Sequence, residues 1–159
     1  MKILIVSDTH GKDEKLEEAV LREAPFDYFI HCGDVEGREI FIEALVECPC
    51  TIVAGNNDFF SDLPREDVIQ LEGHRLLVTH GHYYGASMGL YGLLDEGKTR
   101  GCQAVLFGHT HRPVNETEDG ILLLNPGSLA YPRQEGKRPS YAVMELEPGK
   151  VPVAEIRYI

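Results

Sequence analysis

The sequence contains no apolar run approaching the ~20 residues that a membrane-spanning helix needs, and no repeat, low-complexity tract or linker-like stretch interrupts its 159 residues. The first absence argues against a membrane protein. The second points to a single domain over 1–159, long enough to bury a substantial core. Basic residues are also scarce, 15 Lys and Arg against 26 Asp and Glu, for a formal charge of −11. That balance argues against an extended nucleic-acid surface, but not against a small anionic substrate. Cysteine occurs only at 32, 48, 50 and 102. Cys48-Pro49-Cys50 is C-x-C rather than C-x-x-C, and no second pair stands at zinc-ribbon spacing, so structural thiols are expected. The opening run Met1-Lys2-Ile3-Leu4-Ile5-Val6-Ser7-Asp8 is too short and too soon acidic for a secretory signal. It reads as a buried strand, and a cytoplasmic location, with thiols kept reduced, is the expectation.

The first two-thirds of the chain alternates between strand-like and helical patterns. Strands are expected around 2–7, 27–31 and 51–54, and helices around 13–24 and 37–46, the first ended by Pro25. Such βαβ units imply parallel strands with right-handed crossovers. Further strands are expected at 67–71 and 75–79 around the turn Glu72-Gly73-His74, then a helix at 87–99 and a strand at 103–107. Strands near 112–117, 120–124, 140–146 and 151–158 follow, separated by Gly- and Pro-containing turns. A βαβαβ start followed by a meander suggests two packed sheets with helices outside. The loop at 57–66 is expected to expose Phe59 and Phe60.

Seven residues stand out because each sits in a short polar run just after an apolar, strand-like run: Asp8, His10, Asp34, Asn56, His80, His109 and His111. Strands ending at one sheet edge would bring them into one cleft. Each signal has an ordinary reading. Asp8 and Asp34 could cap the helices that follow, and Gly55-Asn56-Asn57-Asp58 could be a turn. His31 and His74 read as plain strand and turn residues. Five of the seven histidines, however, fall in three short motifs. Together these carboxylates, imidazoles and an amide are metal ligands in kind, and in number enough for two ions, the equipment of phosphoester hydrolysis.

In their order, Asp-x-His, Gly-Asp, Gly-Asn-x-Asp, His-Gly-His and Gly-His-x-His, the motifs resemble those of the calcineurin-like metallophosphoesterase superfamily, particularly its small YfcE-type phosphodiesterases. Ser7-Asp8-Thr9-His10-Gly11, Phe107-Gly108-His109-Thr110-His111-Arg112-Pro113 and Asn125-Pro126-Gly127-Ser128 carry the likeness. The resemblance implies an α/β fold, a four-layer α-β-β-α sandwich of two stacked mixed sheets flanked by helices. It implies two divalent ions, manganese first, with nickel, iron, cobalt or zinc also compatible with mixed N/O ligands. One ion would be held by Asp8, His10, Asp34 and His111, the other by Asp34, Asn56, His80 and His109, with Asp34 bridging and a bridging hydroxide attacking phosphorus. Many members carry His after the metal-binding Asn, assigned to leaving-group protonation, and the small phosphodiesterases often have Cys there. Here the residue is Asn57, whose neutral amide cannot serve as a general acid. His82 is the candidate replacement, or else a phosphate-binding group.

The implied activity is hydrolysis of a small phosphodiester. A phosphomonoesterase or nucleotide phosphatase with the same metals is the alternative. A non-catalytic scaffold, as in the retromer subunit of this fold, would be expected to show substituted ligands. Loops 57–66, 82–92 and 129–139 would set specificity, with Phe59, Phe60, Tyr83, Tyr84 and Arg133 available to touch substrate or a second copy in a homodimer or homotetramer.

Overall fold

The computed structural model describes all 159 residues. Three strands and two helices open the chain: β1 (Lys2–Val6), α1 (Glu14–Glu23), β2 (Tyr28–His31), α2 (Glu39–Val46) and β3 (Cys50–Ile52). Then come β4 (Glu66–Leu71), β5 (His74–Thr79), α3 (Tyr91–Thr99), β6 (Ala104–Leu106), β7 (Val114–Glu118), β8 (Ile121–Asn125), β9 (Ser140–Glu145) and β10 (Val153–Tyr158). They form two five-stranded mixed sheets, ordered β10-β9-β1-β2-β3 and β4-β5-β6-β8-β7. β1, β2 and β3 run parallel in the first, as do β5, β6 and β8 in the second.

Alternation along the strands builds the layers. Ile3 and Ile5 of β1 point inward with Ile30, and pack against Leu76, Val78, Leu106 and Leu124 of the other sheet. Leu4 and Val6 point outward with Phe29, under Leu16, Ala19 and Val20 of α1 and Ile42 and Val46 of α2. Leu77, Val105 and Leu123 face outward on the second sheet, under Leu93 and Leu94 of α3. Three apolar layers thus separate four layers of structure in the order α-β-β-α. Because both faces of the central strands are covered, they read as continuous apolar runs rather than alternating ones.

Two local expectations are corrected. Helix α3 starts at Tyr91, not 87, because residues 82–84 and 86–88 form separate single 3₁₀ turns around Gly85, whose φ of 68° an α-helix does not accept. His74 is the first residue of β5 rather than part of the turn; it is buried, and its Nε2 is 2.9 Å from the Glu147 carbonyl. Glu72 and Gly73, with φ of 50° and 76°, make the two-residue turn. The four thiols are free, with Cys32 and Cys102 buried.

Candidate metal centre

Loops following β1, β2, β3, β5 and β6 meet where parallel strands of both sheets end. Hydrogen bonds join the loops: Asp8 N donates to Gly33 O at 3.0 Å, His10 N to Asp34 O at 2.9 Å, and Gly108 N to His80 O at 3.1 Å. The backbone is bent to aim side chains inward. Asp8, His10, Asp34, His109 and His111 all have φ between 47° and 72°. Such conformations in residues with a Cβ cost free energy and cluster at functional sites. Neither Asp8 nor Asp34 serves as a helix cap, since α1 and α2 start at Glu14 and Glu39. Two glycines are dictated by crowding. A Cβ on Gly55 would lie 2.1 Å from Asp34 Oδ1, and one on Gly108 would lie 2.0 Å from Ser7 Oγ.

The imidazoles are fixed from outside. His80 Nδ1 donates to the Cys32 carbonyl at 2.7 Å, and His111 Nδ1 to the Tyr131 carbonyl at 2.7 Å. A carbonyl only accepts, so these contacts assign the proton to Nδ1 in each neutral ring and direct the Nε2 lone pair inward. Outward donors of this kind characterise metal-binding histidines. His10 Nδ1 lies 3.1 Å from Glu36 Oε1, again leaving Nε2 inside. His10 Nε2 and His111 Nε2 then face each other at 3.2 Å. Asp8 Oδ1 is 3.1 Å from His111 Nε2, yet it is buried without a hydrogen-bond partner, whereas Oδ2 accepts from Ser7 Oγ and His109 N.

Asp8, His10, Asp34 and His111 present ligand atoms all within 4.8 Å of one another. A second group adjoins it: Asn56 Oδ1 lies 2.9 Å from His80 Nε2 and 3.0 Å from His109 Nδ1. Asp34 Oδ2 stands between the groups, 3.7 Å from His10 Nε2 and 3.5 Å from His80 Nε2. All seven residues singled out in the sequence therefore converge. Inward lone pairs on nitrogen and oxygen, with an unbonded buried carboxylate oxygen, are a donor set suited to divalent cations.

The electrostatics agree. Burial pushes the Asp8 carboxyl up, but His10, His111 and His80 outweigh it and hold the group well below the usual range. Facing Asp8 raises His10 to about 9. Burial lowers His80, and Asp34 and Asp8 overcome that to leave it raised. Burial and the His80 charge lower His82 and His109.

His82 is half-buried, its ring centroid 5.3 Å from that of His80 and 5.8 Å from that of His109. Its Nδ1 is buried without a partner. Asn57 contributes its backbone N–H to Asp34 Oδ1 at 2.9 Å, and the residue lines a small groove beside Glu36 and Phe60. Among the other loop candidates, Phe59, Phe60 and Tyr83 are exposed, while the Tyr84 hydroxyl is committed to Glu66 at 2.5 Å. Arg133 N donates to His111 O, and the residue lines a separate groove with Met88 and Arg112.

The supporting residues were less visible in the sequence. Asp58 accepts amides from Asp34, Val35, Glu36 and Gly55, so one carboxylate organises two ligand loops. Ser128 Oγ donates to Asp8 O and accepts from the amides of Ala130 and Tyr131. His31 is fully buried and contacts Thr9 Oγ1 at 2.9 Å, and burial lowers it to about 4, so it acts as a neutral brace. Glu36 carried no motif at all. Asp58, within Gly-Asn-x-Asp, reads from the sequence as a residue that orients its neighbours, and these four amides are the ones it holds; Ser128 had a signal in Asn-Pro-Gly-Ser, but that motif did not reveal its role.

Buried carboxylates and inward imidazoles at the strand ends of a double-sheet sandwich define a metallophosphoesterase. The sequence profile of the calcineurin-like phosphoesterase superfamily domain matches residues 1–149, and the chain belongs to that superfamily. The probable metallophosphoesterase YsnB of Bacillus subtilis is 37% identical over 150 residues, covering 92% of this chain and 85% of YsnB. The phosphodiesterase YfcE of Escherichia coli K12 is 29% identical over 170 residues, covering 91% and 88%. A predicted phosphoesterase of known crystal structure from Streptococcus pneumoniae superposes with a TM-score of 0.80 at 29% identity, covering 98% of this chain and 97% of its own. No helix is long and apolar enough to cross a membrane.

Proposed function

We propose that the protein hydrolyses small phosphodiesters at a centre of two divalent cations that share Asp34. The observation that carries this reading is the pair of adjoining donor groups, Asp8, His10 and His111 on one side and Asn56, His80 and His109 on the other, with Asp34 Oδ2 between them. Asp8, His10, Asp34 and His111 would hold one ion, and Asp34, Asn56, His80 and His109 the other. Bound there, manganese or a similar ion supplies charge for the phosphate oxygens and lowers the pKa of water toward neutrality.

The chain's own groups orient the substrate. Burial and the His80 charge lower His82 below the usual imidazole value. Its half-buried ring beside His80 and His109 and its unpartnered Nδ1 support a hydrogen bond from His82 to a substrate oxygen. Asn57 has no acidic proton, and its amide N–H holds Asp34 in place. Without a dedicated general acid, diesters with acidic leaving alcohols are favoured over monoesters with basic ones.

The test strips metal with a chelator, restores manganese, nickel or zinc singly, and compares bis(4-nitrophenyl) phosphate with 4-nitrophenyl phosphate. Metal-dependent turnover favouring the diester is expected, with at least about a 100-fold loss in Asp34→Asn, since even residues that only support a metal ligand cost 10–100-fold. Preference for the monoester would replace the diesterase by the phosphatase reading. Turnover that survives both chelation and Asp34→Asn would overturn the metal mechanism.

A further inference from the structure

The cleft beside Asn56 and His82 has a chemistry of its own. Its volume is about 450 Å³, and Phe59, Leu63, Arg65 and Tyr83 line it along with those two residues. That volume lies within the usual range for small-molecule sites. One wall is the segment from Ala54 to Arg65, tied to itself by Ala54 N to Pro64 O at 2.7 Å, Asp58 N to Gly55 O at 3.2 Å and Leu63 N to Ser61 Oγ at 3.0 Å. The wall is therefore built rather than loose. Phe59 and Tyr83 leave aromatic surface exposed to the cleft.

Arg65 is the cation of this cleft. Its guanidinium lies over the Tyr83 ring, 5.0 Å from the centroid. Two neighbouring carboxylates are already used, and the exposed Asp62 and Asp67 form no ion pair with it. Glu66 is held by Arg100 and Tyr84, and both oxygens of Asp58 accept backbone amides. Arg22, Arg38, Arg100 and Arg157 form ion pairs. Arg65, like Arg75, Arg112, Arg133 and Arg138, forms none, and it is the one of these that lines this cleft. A stacked guanidinium with its N–H edge free matches the paired oxygens of a carboxylate or phosphate.

Building on the phosphodiesterase reading, we propose that this cleft is a specificity subsite in which Phe59 and Tyr83 contact a planar ring of one ester group while Arg65 binds a second anionic group on that ring. The substrate class is thus a phosphodiester with an anionic aromatic or heteroaromatic substituent. The second anion is placed on the ring, with the phosphate being cleaved at the adjoining cluster that contains Asn56.

The test measures calorimetric binding to the manganese-loaded protein of two phosphinates, (4-carboxybenzyl)methylphosphinate and benzylmethylphosphinate, whose P–C bonds replace both ester bonds and cannot be hydrolysed. The wild type is expected to bind the carboxylated phosphinate about tenfold more tightly, the scale of one charge-assisted hydrogen-bonded pair. In R65Q that ratio falls to about one, and R65K, which keeps the charge without the fork, retains part of it. A thermal melt overlaying the wild type shows that R65Q is folded. Equal affinity of the wild type for the two phosphinates, or an undiminished ratio in R65Q, overturns the subsite while leaving the diesterase reading in place. Failure of both phosphinates to bind, together with no turnover of bis(4-nitrophenyl) phosphate, overturns both.

Discussion

Two buried carboxylates in this molecule have opposite surroundings. Glu23, at the end of α1, is only 4% exposed, and every one of its oxygens is matched: Oε2 by Arg157 at 2.6 Å and Lys2 at 3.2 Å, Oε1 by the Tyr141 hydroxyl at 2.7 Å. It ties α1 to β1, β9 and β10. Asp8 is fully buried, but its Oδ1 has no hydrogen-bond partner, and the groups facing it are imidazoles rather than guanidinium or ammonium groups. The contrast separates a carboxylate that fastens the fold from one held ready for a ligand. Strain follows the same division. Asp8, His10, Asp34, His109 and His111 all occupy the left-handed region, whereas Glu23 lies within a regular helix.

Breaking each site should give different results. The largest stability effect is expected at the satisfied site: Glu23→Ala removes the carboxylate shared by Arg157 and Lys2 and leaves the Tyr141 hydroxyl without its acceptor, and should cost about 3 kcal/mol in denaturant titrations. Next comes the unsatisfied site. Saturating wild type with manganese at 100 times its dissociation constant should add about 2.7 kcal/mol, and Asp8→Asn should remove that gain. In the absence of metal, Asp8→Asn removes the charge that His10, His111 and His80 favour, and should itself cost stability, by less than Glu23→Ala. Ser128→Ala removes the hydroxyl joining Asp8 O to the Ala130 and Tyr131 amides, and should cost about 1–2 kcal/mol.

The pH response sharpens the comparison with a smaller effect. Burial raises Glu23, but Arg157, Tyr141 and Lys2 overcome it and lower the carboxyl below its ordinary value of 4.5. A lowered carboxyl adds stability that is fully present above its unfolded pKa and is lost as pH falls through the folded one. Wild type should therefore lose more stability than Glu23→Gln as the pH drops below about 4.5. Equal acid sensitivity of the two proteins would remove Glu23 from the account.

The fold was legible because its strands are covered on both faces. Runs such as Ile3-Leu4-Ile5-Val6 and Ala104-Val105-Leu106-Phe107 announce central strands whatever surrounds them. The seven candidate ligands were legible as a group because each follows such a run, and the strand ends converge. What stayed hidden depends on tertiary contact. Nothing local distinguishes Glu23 from the other acidic residues of α1, since Arg157 and Tyr141 lie more than a hundred residues away. The Cys32 and Tyr131 carbonyls that set the His80 and His111 tautomers are backbone atoms, which no side-chain pattern encodes. The helix expected from 87 failed for a local reason instead, Gly85 and Gly89, whose φ of 68° and 139° interrupt the chain before Tyr91.

The most direct test of the centre counts ions. Manganese content per chain would be measured on desalted wild type and Asp34→Asn, with low-temperature electron paramagnetic resonance on the same samples. The expected result is two manganese ions per wild-type chain with the spectrum of a magnetically coupled pair, and loss of that coupling in Asp34→Asn. A single uncoupled ion in wild type, or a coupled pair that survives Asp34→Asn, would contradict a centre built around a shared Asp34.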